Sequence, residues 1–150
     1  MSMISFVIPV YNEEKGFKKF YTEMLLPELK KLKYGYELIL VNDGSKDKSL
    51  QIIQELAEKD KHIKVLSFSR NFGKEVALTA GIREAEGAAV FTMDADGQQP
   101  PKLIPEFIKK WENGAELVIG VRGKYEKHGF IALWAGWALK IWCPEAQIFA

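Results

Sequence analysis

Asp94 and Asp96 stand two residues apart, directly after the apolar run Ala88–Met93, and Gln98 follows two residues later. An ionised carboxylate at the end of an apolar segment is costly unless it binds something. Two carboxylates and an amide in this spacing offer hard oxygen donors. Such donors suit Mg²⁺ or Mn²⁺, with phosphate oxygens completing the shell. The bland alternative is an Asp-rich turn that caps the helix after Pro101. Asp43-Gly44-Ser45 follows another apolar run, Glu37–Asn42. It reads either as turn and capping chemistry or as a carboxylate that accepts the N–H of a base. Tyr11-Asn12-Glu13-Glu14, Ser69-Arg70-Asn71-Phe72-Gly73-Lys74 and Arg122 end further apolar runs.

Other chemistries are disfavoured. Asn71-Phe72-Gly73-Lys74 opens a helix, but Glu75 follows the lysine and residue 68 is Phe, so the P-loop pattern is absent. No G-x-G-x-x-G follows the first apolar run, which lowers a dinucleotide-binding dehydrogenase. One cysteine, Cys143, excludes a Cys-based zinc site, and only His62 and His128 exist for a His-rich one. Both histidines read as surface residues, because neither ends an apolar run. Lys and Arg total 21 against 20 Asp and Glu, a net charge of +1 that argues against a nucleic-acid binder. The Lys pairs at 18–19, 30–31 and 109–110 read as solvated helix faces.

The elements that must hold these residues follow from the pattern. The 150 residues suit one domain, and 47% hydrophobic content suits a packed core. Strands are expected at Ile4–Val10, Glu37–Asn42, Ile63–Phe68, Ala88–Met93 and Glu116–Val121. Helices are expected at Glu13–Lys33, bent or split at Pro27, and at Asp47–Lys59, Lys74–Glu84 and Pro101–Trp111. Strands apolar on both faces and separated by helices imply a parallel sheet covered on both sides. In such an α/β fold the ligand site lies beyond the carboxyl ends of the strands. Each polar cluster named above falls at that edge.

Together, IPVYNEE, VNDGSKDKS, SRNFGKEVALTAGI, MDADGQQPP and VIGVR resemble the nucleotide-sugar domain of family-two glycosyltransferases. The resemblance is greatest to polyprenyl-phosphate sugar transferases, the bacterial enzymes using undecaprenyl phosphate and the dolichol-phosphate mannose synthases. It runs from Ile4 to Arg122. It implies a GT-A fold, a Rossmann-like, doubly wound, mostly parallel sheet flanked by helices. It also implies inverting transfer from a nucleoside-diphosphate sugar, a UDP- or GDP-sugar, to a polyprenyl phosphate. By the resemblance, Pro9, Tyr11 and Glu13 line the nucleoside pocket and Asp43 holds the base. Asp94 lies near the sugar and pyrophosphate, Asp96 and Gln98 hold Mg²⁺ or Mn²⁺, and Arg122 faces the acceptor phosphate. Ser69, Arg70 and Lys74 belong to a shared motif without individual roles. The family's usual DADLQDPP reads DADGQQPP here, with Gly97 in place of Leu and Gln99 in place of Asp.

The resemblance places the enzyme at the cytoplasmic face of the membrane and divides the chain into residues 1–122, the nucleotide-sugar domain, and an atypical segment 123–150. Family members usually continue into membrane-associated helices, and this chain stops first, which reads either as an engineered or truncated domain or as a tail read in an altered frame. Phe130–Trp142 carries Trp134, Trp137 and Trp142 with few charges. It reads either as a core helix or as a helix lying on a membrane surface, being too short to span one. The competing functions are a nucleotide-sugar-binding module inactive alone, a transferase to a sugar hydroxyl, and a sugar nucleotidyltransferase. The last needs a Gly-rich N-terminal phosphate loop, which YNEEKG is not.

Overall fold

The computed structural model describes residues 2–120 and 139–140. The runs rich in β-branched and large apolar residues become β1 (Met3–Val10), β2 (Gly35–Asn42), β3 (Ile63–Ser67) and β4 (Ala89–Thr92). They form one sheet in the order β3-β2-β1-β4. All its pairings are parallel, with β1 in the middle matching Met3 to Gly35 on one side and Ile4 to Ala89 on the other. The chain builds outward from β1 to β3, then returns to lay β4 against the free side of β1. Strand order therefore reverses between β1 and β4, the place where open α/β sheets leave a crevice.

Alternation along β1 sends Ile4, Phe6, Ile8 and Val10 to one face and Val7 to the other, all fully buried. The first face carries α1 (Phe17–Lys19), a π-helical stretch (Phe20–Leu25), α2 (Leu26–Leu29) and α3 (Ser49–Lys59). The second face is covered by α4 (Lys74–Arg83), whose Ala77 packs on Val7, Ile39, Val41 and Val90. A 3₁₀ turn at Pro101–Leu103 leads into α5 (Ile104–Glu112), which buries Ile104 and Ile108 on the first face.

Two elements depart from the sequence expectation. The first helix begins at Phe17 rather than Glu13: a turn precedes it, in which the Gly16 and Phe17 N–H groups both donate to the Glu13 carbonyl, while the N–H groups of Asn12, Glu13 and Glu14 are held by Ser45, Ser49 and Asp47. Pro27 does interrupt it: the π-helical stretch ends just before α2, whose first turn holds the proline. A widened turn accommodates a residue that has no N–H and crowds the preceding carbonyl. The fifth strand shortens to β5 (Leu117–Val118) and does not join the parallel sheet. It pairs antiparallel with β6 (Leu139–Lys140). Of Leu117, Val118 and Ile119 only Val118 is buried, and a strand with one buried face suits antiparallel pairing.

At the edge away from the expected site, buried Glu37 fastens the turn between α4 and β4. Its Oε1 accepts the Ser5 hydroxyl at 2.5 Å and the Glu86 N–H at 2.7 Å. Lys64 Nζ stands 2.9 Å from Oε2, an ion-pair contact rather than an aligned hydrogen bond. Burial alone would raise the Glu37 pKa, but the Ser5 hydroxyl, the Lys64 ammonium and the Glu86 N–H together hold it below the ordinary glutamate value. Lys64 is partly exposed, so its charge contributes modestly. Glu37→Leu is expected to cost about 1–3 kcal/mol at neutral pH, the cost of removing the acceptor of the buried Ser5 hydroxyl and of the part-buried Glu86 N–H bond. A carboxylate whose folded pKa is depressed stabilises above its unfolded pKa and loses that contribution as pH falls through the folded value. The gap in urea midpoint between wild type and Glu37→Leu is therefore expected to shrink on acidification. A constant gap from pH 7 to pH 3 would contradict this account.

Candidate functional site

The loop after β1 is tied to the loop after β2. Asn12 takes a left-handed backbone, with φ 54°, unusual for a residue with a side chain. That turn lets its N–H reach Ser45 Oγ at 3.1 Å while its Oδ1 accepts the Lys46 N–H at 2.9 Å. Glu13 N–H donates to Ser49 Oγ at 2.7 Å and Glu14 N–H to Asp47 Oδ2 at 3.1 Å. The side chains of Tyr11 and Glu13 are thereby set on a fixed backbone.

Asp43 ties the loop after β2 to the loop after β3. It is buried, and its Oδ1 and Oδ2 accept the N–H groups of Phe72 and Gly73 at 2.7 and 3.0 Å. Gly44 lets the two loops touch: a Cβ there would lie 2.2 Å from the Arg70 carbonyl carbon, and its φ of +65° is itself strained for an L side chain. The Arg70 guanidinium lies over the Phe72 ring at 4.8 Å. Gly73, with φ +98°, precedes the first residue of α4, Lys74.

β4 delivers Asp94, Ala95 and Asp96 to the same edge. Lys74 Nζ makes an ion pair with Asp94 Oδ1, and the Gln98 N–H donates to Asp96 Oδ1 at 2.9 Å in a tight turn. Gly97 holds φ +70° in that turn, and a Cβ on it would approach Phe20 at 3.4 Å and the Met24 sulfur at 3.7 Å. A larger residue at this position would thus lean on the π-helical stretch.

These ends enclose a cleft of about 400 Å³ lined by Pro9, Tyr11, Glu13, Asp43, Asp94 and Asp96, with Asn71, Gly73, Lys74 and Ala95 completing the wall. The expected nucleoside residues and Asp94 and Asp96 are therefore neighbours. Gln98 is exposed beside the cleft and Arg122 lies outside the described residues. Burial raises the Glu13 pKa above the ordinary glutamate value, and the negative charges of Asp96 and Asp47 raise it further. Like charges are thus gathered here. Among the described residues no three acidic, His or Cys side chains form a ready-made metal cage. Two carboxylates with room beside them fit a hard divalent ion that takes its remaining oxygens from water or phosphate.

The family model for Glycosyl transferase family 2 matches residues 5–147. The chain belongs to this family. It is 46% identical over 126 residues to the uncharacterized glycosyltransferase YkcC of Bacillus subtilis, covering 84% of this chain and 39% of that one. It is 45% identical over 127 residues to the bactoprenol glucosyl transferase of Shigella phage SfV, covering 84% and 41%. The chain thus spans about two fifths of the length of these curated relatives. Among solved structures, S. aureus TarS 1–349 in complex with UDP matches with TM-score 0.56 and 26% identity, over 84% of this chain and 40% of that one. The mannosyltransferase PcManGT of Pyrobaculum calidifontis, in complex with GDP-Man and Mn²⁺, matches with TM-score 0.61 and 21% identity, over 77% and 34%. The fold is that of the GT-A glycosyltransferases.

The cluster Ser69–Lys74 is expected at this edge without individual roles, and the structure puts its Asn71 and Lys74 in the cleft wall. Both lie in SRNFGK, so the motif was visible, but nothing in it names Asp94 as the partner of Lys74. His62, read as a surface residue, has a side chain 42% exposed and joins a small structural cluster there. Its Nδ1 is 2.7 Å from Asp60 Oδ1, and its ring stacks on Tyr36 at 4.6 Å. Asp43→Ala is expected to free the amides of Phe72 and Gly73, whose hydrogen exchange should rise at least tenfold while those of β1 stay protected; about 1.4 kcal/mol of lost local protection corresponds to that factor. Unchanged exchange at both amides would show that Asp43 does not anchor this loop.

Proposed function

We propose that this domain transfers a sugar, with inversion, from a nucleoside-diphosphate sugar to a polyprenyl phosphate at the cytoplasmic face of a membrane. The observation that carries the reading is the cleft itself: one crevice at the strand-order reversal of a family-two chain gathers Tyr11, Glu13, Asp43, Asp94 and Asp96. Its volume suits a small-molecule ligand. The lipid acceptor is supported by the name of the phage relative, a bactoprenol glucosyl transferase. No helix among the described residues is long and apolar enough to cross a membrane.

The residues divide the work. Tyr11 is 42% exposed at the cleft, a ring with a face available to stack on a UDP or GDP base. Pro9 and Glu13 bound the nucleoside beside it. Asp43 already holds two backbone amides, and a carboxylate's remaining lone pairs still leave it able to accept a base N–H. Asp94 borders the sugar and diphosphate. Asp96, joined by Gln98, would hold Mg²⁺ or Mn²⁺. Such an ion supplies Lewis-acid neutralisation of the charge that develops on the leaving diphosphate.

The acceptor suits the state of these groups. Asp94 is engaged with Lys74, and Asp43 with two amides. A lipid phosphate is already an anion and needs no proton removed, only a cation to orient it. Arg122 is the side chain to which the family resemblance gives that task, a guanidinium being suited to paired phosphate contacts.

Titration calorimetry with UDP-glucose and GDP-mannose, with and without Mn²⁺, tests the reading. One of the two is expected to bind, and only with the metal. Asp96→Ala is expected to remove the Mn²⁺-dependent part of that affinity while leaving the melting temperature within a few degrees of wild type. Equal affinity with and without Mn²⁺, in both proteins, would sink the metal assignment. Arg122→Ala is expected to lower sugar transfer to undecaprenyl phosphate in liposomes more than tenfold with nucleotide affinity unchanged, the size of one lost charge-assisted contact. Parallel loss of both would place Arg122 at the nucleotide instead.

A further inference from the structure

Among the described residues, Lys74 is the cation in the cleft wall. It is also the first residue of α4, where a positive charge opposes the helix dipole. A residue placed against local preference in this way marks a task set by its surroundings. In this structure the Lys74 ammonium is compensated by Asp94. That pair is easily exchanged, because the Lys74 side chain is 51% exposed and ion pairs of this exposure contribute little. The backbone beneath it is fixed. Gly73 N–H is held by Asp43, and α4 lies so close on the sheet that a Cβ on Gly81 would meet Val7 Cγ1 at 2.3 Å. A flexible stem on a fixed base can present its ammonium to more than one anion within the cleft.

We propose that Lys74 is an exchangeable counterion that couples metal binding to nucleotide binding. When a nucleoside diphosphate enters, the ammonium leaves Asp94 for the phosphate oxygens, and Asp94 is released to face the divalent cation. The proposal rests on the nucleotide-sugar reading above and adds the residue that links its two ligands. Before exchange, Lys74 competes with a divalent cation for Asp94. After exchange, it adds a charge-assisted contact to the diphosphate. Metal and nucleotide then favour each other's binding, and the coupling is reciprocal.

Calorimetric titration of the whole chain and of Lys74→Met tests this, using MnCl₂ alone, then UDP, GDP, uridine and guanosine in saturating Mn²⁺. The nucleotide that the wild type prefers is expected to bind Lys74→Met about tenfold more weakly, the size of one lost charge-assisted contact. The matching nucleoside is expected to bind both proteins equally. Mn²⁺ alone is expected to bind Lys74→Met several-fold more tightly, because the competing ammonium is gone. Lys74→Arg should keep most of the diphosphate affinity. Unchanged diphosphate affinity in Lys74→Met, or Mn²⁺ binding no tighter than in wild type, overturns the proposal. So does equal loss for nucleoside and nucleotide, which would make Lys74 a structural residue only. A wild type that binds neither UDP nor GDP with Mn²⁺ overturns the nucleotide-sugar reading, and the counterion role falls with it.

Discussion

The carboxylate of Asp43 is the constraint on which the cleft depends. It is buried at the end of β2 and satisfied by two backbone N–H groups of the loop after β3. A buried carboxylate without such partners would be a severe cost, so the loop and the strand end stabilise each other. Gly44 next to it removes the side chain that would push Arg70 away. The conformation of Phe72 and Gly73 then sets the start of α4 and the base of Lys74. Reaching the other way, Ser45 and Ser49 hold the loop after β1. The ends of β1, β2 and β3 are therefore one hydrogen-bonded unit, to which β4 adds its acidic turn.

Much of this was legible in the sequence because the physics involved is local or repetitive. The apolar runs ISFVIPV and ELILVN have no solvent face, and only a sheet covered on both sides accommodates them. Once the sheet is parallel, the polar clusters after its strands must share an edge, and Tyr11, Asp43 and Asp94 meet there without any knowledge of side-chain geometry. Pro27 announced its own interruption of the first helix.

What escaped the sequence depends on contacts between distant segments. Periodicity extends the first helix back to Glu13, but the N–H groups of Asn12 to Glu14 are held by Ser45, Ser49 and Asp47, more than thirty residues away. The run Glu116–Val121 has the composition of a strand, yet among its described residues only Val118 is buried, and its partner β6 is also remote. Lys74 and Asp94 belong to separate motifs, and only the β1–β4 adjacency brings them together. In each case composition proposed the residue and topology chose the partner.

Charge in the cleft constrains how any diphosphate could bind on the reading proposed above. The wall holds Glu13, Asp43, Asp94 and Asp96 against Lys74, a formal excess of three negative charges when all four carboxylates are ionised. Burial first, and then the negative charges of Asp96 and Asp47, raise the Glu13 pKa above the ordinary glutamate value. A diphosphate carries further negative charge into the same space, and at separations of a few ångströms near a protein surface such repulsion is worth several kcal/mol. Lys74 alone cannot offset it. On that reading a divalent ion at Asp96 would cancel two of the wall's three excess charges, and exchange of Lys74 from Asp94 to phosphate would bring the wall's one positive charge onto the incoming diphosphate without importing another cation. On the proposed reading, the acidic residues that repel a bare nucleotide would favour one that arrives with its metal, because the same carboxylates would repel the one and ligate the other.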